Sequence, residues 1–243
     1  MWQIFKKELS VFFSSLTGYI VIGVFLGVLG MVMFVFPDFS LLHYNYATLD
    51  QLFLIAPIIF MFLIPAVTMR TFAEENQTGT IELLVTRPIR DRDIVLGKYF
   101  AALALVVLSL LPTLLYYYTV YDLGSPKGNL DSGAIAGSYL GLFMLAACFT
   151  SVGIFASSIT NNQIVSFIFA TVLCFFFYWA FFLISKFPFL VGKADDLVQK
   201  IGIDYYYASI SRGVLDSRDI IYFLSFIFLF LMMTLFSLER RKW

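Results

Sequence analysis

Glu74 and Glu75 are the chain's nearest approach to acid–base chemistry, two adjacent carboxylates between long apolar segments. A proton-transfer pair usually includes a histidine or a second tuned group facing it. The only histidine is His43, so catalysis built on several histidines is excluded. Cys148 and Cys174 each lie inside an apolar run, where a thiol behaves as a small hydrophobe. Neither belongs to a CxxC pair or has a histidine nearby, so no metal site is expected, and a lone pair of this kind does not read as a disulfide framework. A phosphate cradle of the GxxxxGK[ST] type is also missing. Gly97-Lys98 is followed by Tyr99, and Gly192-Lys193 by Ala194. The formal net charge is zero, so no basic field recruits nucleic acid. These residue types predict no catalytic centre, no cofactor and no metal in the chain itself.

The elements that carry these residues are membrane helices. Hydrophobic residues make up 60% of the 243 and charged residues 13%. Soluble domains hold about 45–50% apolar and about 25% charged. A helix needs about 20 mostly apolar residues to cross the hydrocarbon core. Six segments meet that test: Leu16–Phe36, Leu52–Met69, Tyr99–Thr119, Ala136–Ile159, Ile164–Ser185 and Ile220–Leu238. None contains Asp, Glu, Lys or Arg, each of which would cost about 2.5–3.5 kcal/mol at a helix centre. The expected fold is therefore an all-α membrane protein of six transmembrane helices, a single domain over residues 1–243. The first apolar run is too long for the core of a cleavable signal peptide and should remain as span one.

With six spans, both termini share a side. Lys6, Lys7, Arg70, Arg87, Arg90, Arg92, Lys98 and the basic end Arg240-Arg241-Lys242 fall there, ten of the 16 basic residues. The positive-inside rule makes that side cytoplasmic. Tyr116, Tyr117, Tyr118 and Tyr121 then cluster at the outer end of span three and Trp243 at the inner end of span six, as expected of interfacial aromatics.

Before span one, Gln3–Ser14 reads as an amphipathic helix. Ile4, Phe5, Leu9, Phe12 and Phe13 share one half and Lys6, Lys7, Ser10 and Ser14 the other. Glu8 and Val11 break the pattern. Such a helix lies in the interface plane, as an anchor or as an elbow that also touches a partner.

The most informative stretch joins spans two and three: RTFAEENQTGTIELLVTRPIRDRDIVLGK, Arg70 to Lys98. Gly79 and Pro88 bracket Thr80–Thr86, a candidate short helix with Ile81, Leu84 and Val85 on one face. Asp91 is a candidate N-cap for the helix leading into span three. A solvated loop gains nothing from Ile81, Leu83, Leu84 and Val85, whereas a partner's groove would bury them.

Phe72 to Pro88, followed by Asp93 to Lys98, resembles the signature loop of type-2 ABC exporter permeases, E-x-x-x-G-T-[IL]-E-x-L-[LM]-x-[ST]-P and then GK. Glu75, Gly79, Thr80, Ile81, Glu82, Leu84 and Pro88 fit it, while Val85 and Arg87 depart. The six-helix layout, the amino-terminal elbow and the long loop before span six fit as well. The resemblance implies that Gly79–Pro88 is a cytoplasmic coupling helix seated in a groove of a separate ATPase subunit, with Glu74, Glu75 and Glu82 at the groove's rim. ATP and Mg would be bound by that ATPase, two permeases would pair as a homo- or heterodimer, and the location would be the bacterial inner membrane. The segments Arg212–Ile220 and Leu238–Trp243 are similar to those of the subgroup tied to bacterial gliding motility.

Several readings stay open at this stage. Gly23-x-x-x-Gly27 and Gly137-x-x-x-Gly141 can serve packing within one subunit or a dimer seam. Pro57, Pro65 and Pro112 can give ordinary curvature or hinges. In the long outer loop from Lys186 to Asp219, Asp195–Ile201 and Tyr205–Leu215 are candidate short helices. An ATPase-coupled scaffold that moves no solute, and a secondary transporter, are the alternatives to an exporter, although the latter usually carries intramembrane charges. The cargo is not readable: the aromatic crowd Phe175–Trp179 can line a path for a lipid-like or glycan-lipid cargo, but such a crowd is more often simply a lipid-facing or packing surface.

Overall fold

The computed structural model describes residues 1–36, 48–80, 90–188, 192 and 195–240. Every regular element among the described residues is helical. α1 (Trp2–Ser14) ends at Ser15, whose extended backbone turns the chain into α2 (Leu16–Phe34), the first span. The second span, α3 (Asp50–Thr68), leads into the short α4 (Ala73–Thr78). The third span is α5 (Asp91–Leu110), a 3-10 turn at Leu111–Thr113, and α6 (Leu114–Leu123). The fourth span is α7 (Ser132–Ile159). The fifth runs through α8 (Gln163–Phe175), a π turn at Phe176–Ala180, and α9 (Phe181–Ser185). Two short helices follow, α10 (Asp195–Gln199) and α11 (Ile203–Ile210), before the sixth span, α12 (Ser217–Glu239). The six helices long and apolar enough to cross a membrane coincide with the six predicted segments.

Burial sorts the spans into two groups. Spans two, three and four form the centre, with 61–78% of their most apolar stretch buried, against only 17–22% for spans one, five and six. Phe25, Phe60, Phe149 and Phe223 fill the main core between them. The peripheral spans therefore present apolar faces outward, as lipid requires.

Three details differ from the sequence expectation. The helix leading into span three begins at Asp91, one residue before the start that an Asp91 N-cap would give, and Lys98, just ahead of the predicted apolar span, lies inside it. Its N-cap is Arg90, and Asp91 belongs to the first turn, where a carboxylate suits the helix dipole. Ala73–Thr78, expected as loop, is helical because its first amides find a side-chain partner, described next. Pro57 and Pro65 sit within an uninterrupted α3, whereas Pro112 coincides with the 3-10 turn of span three.

Candidate functional site

The face of the bundle that carries the amino terminus is held by a clasp around one lysine. Gly97 opens the way: a Cβ there would lie 2.9 Å from Ile4 Cγ2 and 3.1 Å from the Met1 carbonyl oxygen. Only glycine lets α1 settle this closely on the base of α5. The amino-terminal ammonium lies 3.5 Å from Asp93. One residue on, Lys98 is 1% exposed. Its Nζ donates to Glu8 Oε1 at 3.1 Å, to Glu75 Oε1 at 2.9 Å and to the Thr71 carbonyl, and stands 4.9 Å over the Phe72 ring. Lys7 adds a second ammonium 3.5 Å from both carboxylates, so two cations face two anions. A buried charge persists only when paired and hydrogen-bonded in this way.

Glu8 therefore has a purpose on the apolar side of α1. It shares the i, i+4, i+8 stripe with Ile4 and Phe12, the three buried residues of the helix. The clasp joins α1, the segment after span two, and the base of span three through Glu8, Glu75 and Lys98.

Span four supplies the remaining support. Ser157 Oγ accepts from the amides of Phe72 and Ala73, both at 3.0 Å, and donates to the Met69 carbonyl at 3.1 Å. These are the orphan donors at the start of α4, which has no cap of its own. Asn76 Nδ2 donates to the Thr160 carbonyl at 2.9 Å. Gly153 lets Thr68 meet span four in direct contact. Gly79 then ends α4 with φ of +70°, a left-handed C-terminus that glycine adopts without strain.

The sequence-derived site residues divide accordingly. Glu74, expected at a partner's rim, pairs with Arg70 at 3.1 Å on the surface. Glu75, expected there too, is turned inward onto Lys98, with Oε2 buried and without a hydrogen-bond partner among the described residues. Thr80 is exposed and shares a hydroxyl contact of 2.9 Å with Thr78. Ile81, Glu82, Leu83, Leu84 and Pro88 lie outside the described residues. Sequence reading missed Lys98, Glu8 and Ser157 as site residues. The signals available were the glutamate on an apolar helix face and the Gly-Lys pair at a span entrance. Nothing in the sequence marked Ser157 among its neighbouring serines.

The opposite face is closed by α11. Gly137 and Gly141 of span four receive Gly213 and Ile210: a Cβ on Gly141 would lie 2.5 Å from Ile210 Cγ2. This glycine pair packs within the subunit. A Cβ on Gly23 or Gly27 would meet nothing within 4 Å among the described residues. From α11, Tyr207 Oη reaches the Phe53 carbonyl at 2.6 Å. Burial raises the Asp204 carboxyl above the usual carboxylate range, and a hydrogen bond with Tyr178 of the π turn partly opposes this. Among the described residues no group of His, Cys, Asp and Glu is placed to hold a metal, and both cysteines are free and buried.

Six apolar helices, three of them central and three peripheral, with a short charged segment fixed at one face, define a multi-pass α-helical membrane protein. A comparison with protein families matches residues 2–194 to the ABC-2 family transporter protein, and the chain belongs to that family. It is a permease subunit of an ABC transporter, a membrane component whose family works with an ABC ATPase. No curated protein matches the chain.

Proposed function

We propose that this permease couples ATP hydrolysis in a separate ATPase subunit to movement of its spans, through the segment Gly79–Pro88, in a bacterial inner membrane with both termini cytoplasmic. The observation that supports this reading most is the clasp. The stem of that segment, α4, is tied to span three by Glu75–Lys98, to α1 by Glu75–Lys7 and to span four by Ser157. A force applied at Gly79–Pro88 thus reaches three elements rather than dissipating in a loop. Closure of two ATPase subunits would then shift the population between inward- and outward-facing bundles.

Within this reading Leu83, Leu84 and Ile81 fill the ATPase groove, and Thr80, Glu82, Glu74 and Pro88 shape its edge. ATP and Mg are held by the ATPase. A second permease subunit, identical or related, packs on the exposed side of span one, where Gly23 and Gly27 permit close approach. The similarity of Arg212–Ile220 and Leu238–Trp243 to the gliding-motility subgroup supports a place in such machinery. There the same coupling would serve mechanical work as well as export.

The test is co-purification from native membranes. An ATPase subunit carrying a phosphate-binding loop should accompany the wild-type chain and be lost when residues 81–88 are scrambled, with the membrane level of the chain unchanged. Retention of the ATPase by the scrambled chain would refute docking through this segment. A chain that never brings down an ATPase would favour the secondary-transporter reading.

A further inference from the structure

Three neighbouring cavities follow one line from the clasp into the membrane. The first, about 360 Å³, is lined by charged and hydroxyl side chains, among them Lys7, Arg70 and Glu75, beside Val11 and Phe12. The second, about 170 Å³, shares Phe12, Thr17 and Arg70 with the first. The third, about 500 Å³, shares Ile20, Val21 and Ala66 with the second and continues between spans one and two to Val28 and Ile58. Its walls are wholly aliphatic or aromatic. From Thr17 to Val28 the groove follows span one for about 16 Å at 1.5 Å per residue, close to the depth of one leaflet of a roughly 30 Å hydrocarbon core.

We propose that this groove binds one glycerophospholipid with a primary-ammonium headgroup, drawn from the leaflet on the clasp side. Charge placement decides the headgroup. Arg70, which lines both the first and the second cavity, stands where the phosphate of an inserted lipid would lie, and Lys7 lines the first cavity with it. Beyond them Glu75 keeps Oε2 buried and unpartnered among the described residues, an acceptor placed for an ammonium. A soluble metabolite would leave the apolar limb unfilled. A choline headgroup has no N–H to give Glu75, and a glycerol headgroup brings no positive charge. Pockets of this kind between helices at a membrane face are suited to lipid headgroups. The inference is independent of ATPase coupling: failure of the co-purification test leaves it standing.

Native mass spectrometry of the purified full chain tests it, with phosphatidylethanolamine, phosphatidylcholine and phosphatidylglycerol of identical chains, and glycerophosphoethanolamine as the headgroup alone. Phosphatidylethanolamine should be retained about tenfold better than the other two lipids, the difference expected for one charged hydrogen bond, and the headgroup alone should not be retained. Ala66→Trp fills the narrow middle cavity and should abolish the preference. Val24→Trp, on the lipid-exposed far limb, is the second variant and should spare only short-chain phosphatidylethanolamine. Equal retention of the three lipids, or long-chain binding unaffected by both tryptophans, overturns the proposal. So does a Val24→Cys disulfide between two copies that forms with full yield and excludes the lipid, since a second subunit would then occupy the groove.

Discussion

The hydroxyl of Tyr207 donates to the carbonyl oxygen of Phe53, the one that Pro57 leaves without its helical partner. A proline at position i provides no amide for the carbonyl at i−4, and inside a membrane that carbonyl cannot turn to water. A helix from the opposite face of the bundle thus completes the second span. Tyr207→Phe should destabilise the detergent-purified protein by about 1 kcal/mol. In a Pro57→Ala background the same change should have almost no effect, because the amide at position 57 returns. A thermal-unfolding cycle over the four proteins measures the coupling, and additive effects would show that the two residues act separately.

Lys98→Met removes the shared cation of the clasp and leaves Glu8 and Glu75 facing each other with only the exposed Lys7 between them. Breaking a buried pair in this way costs about 3–5 kcal/mol. Adding Glu8→Gln and Glu75→Gln should recover much of that loss. Melting temperatures of the single and triple variants decide it; a triple variant no better than the single would mean that packing of the lysine stem, not charge, sets its value.

Gly97→Val places a side chain against Ile4 and should release α1 from span three. Limited proteolysis within residues 1–15 should accelerate, and Ile4→Ala should partly restore protection by clearing the space. An unchanged cleavage rate in Gly97→Val would show that α1 is held by its charges alone.

The two glycine pairs should respond oppositely. Gly141→Leu meets Ile210 and should cost about 1–3 kcal/mol of overpacking. Gly23→Leu meets none of the described residues, so monomer stability should hold while association of two permeases weakens. Cross-linking yield and melting temperature, read side by side for each variant, separate the two sites.

Asp204 gives a pH signature. Its carboxyl keeps a proton to higher pH when folded than when unfolded, because burial disfavours the anion. The associated stability is complete below the unfolded carboxylate's pKa and is lost as pH rises through the folded value. Asp204→Asn should flatten that decline and match the wild type at the acid end. Parallel slopes of melting temperature against pH for the two proteins would exclude Asp204 as the source.

The six spans were legible because hydrocarbon imposes one simple demand on sequence, a long uncharged helix, and each segment met it. Their inner boundaries were not. Lys98 ended the predicted third span because an isolated charge there is costly, yet two carboxylates from distant segments cancel that cost. Pairings over such separations leave no periodic trace. Glu8 was visible as an exception to the stripe of α1, but its partner was not. The Gly-x-x-x-Gly pairs were equally readable in both spans. Only the folded neighbours distinguish Gly141, filled by Ile210, from Gly23, which faces outward. The helix Ala73–Thr78 was hidden because its start is capped by Ser157 from another span rather than by its own residues.

The distance along the chain between Glu8 and Lys98, 90 residues, also sets an order of events during synthesis. At about 5–20 residues per second, a ribosome needs several seconds to deliver the lysine after the glutamate has emerged. For that interval α1 can hold the membrane surface only by its apolar stripe, with Glu8 still hydrated. It locks when the third span enters the bilayer. The helix that carries Glu8 is thus made well before the partner that fixes it, and its locking marks the moment when the third span is correctly inserted.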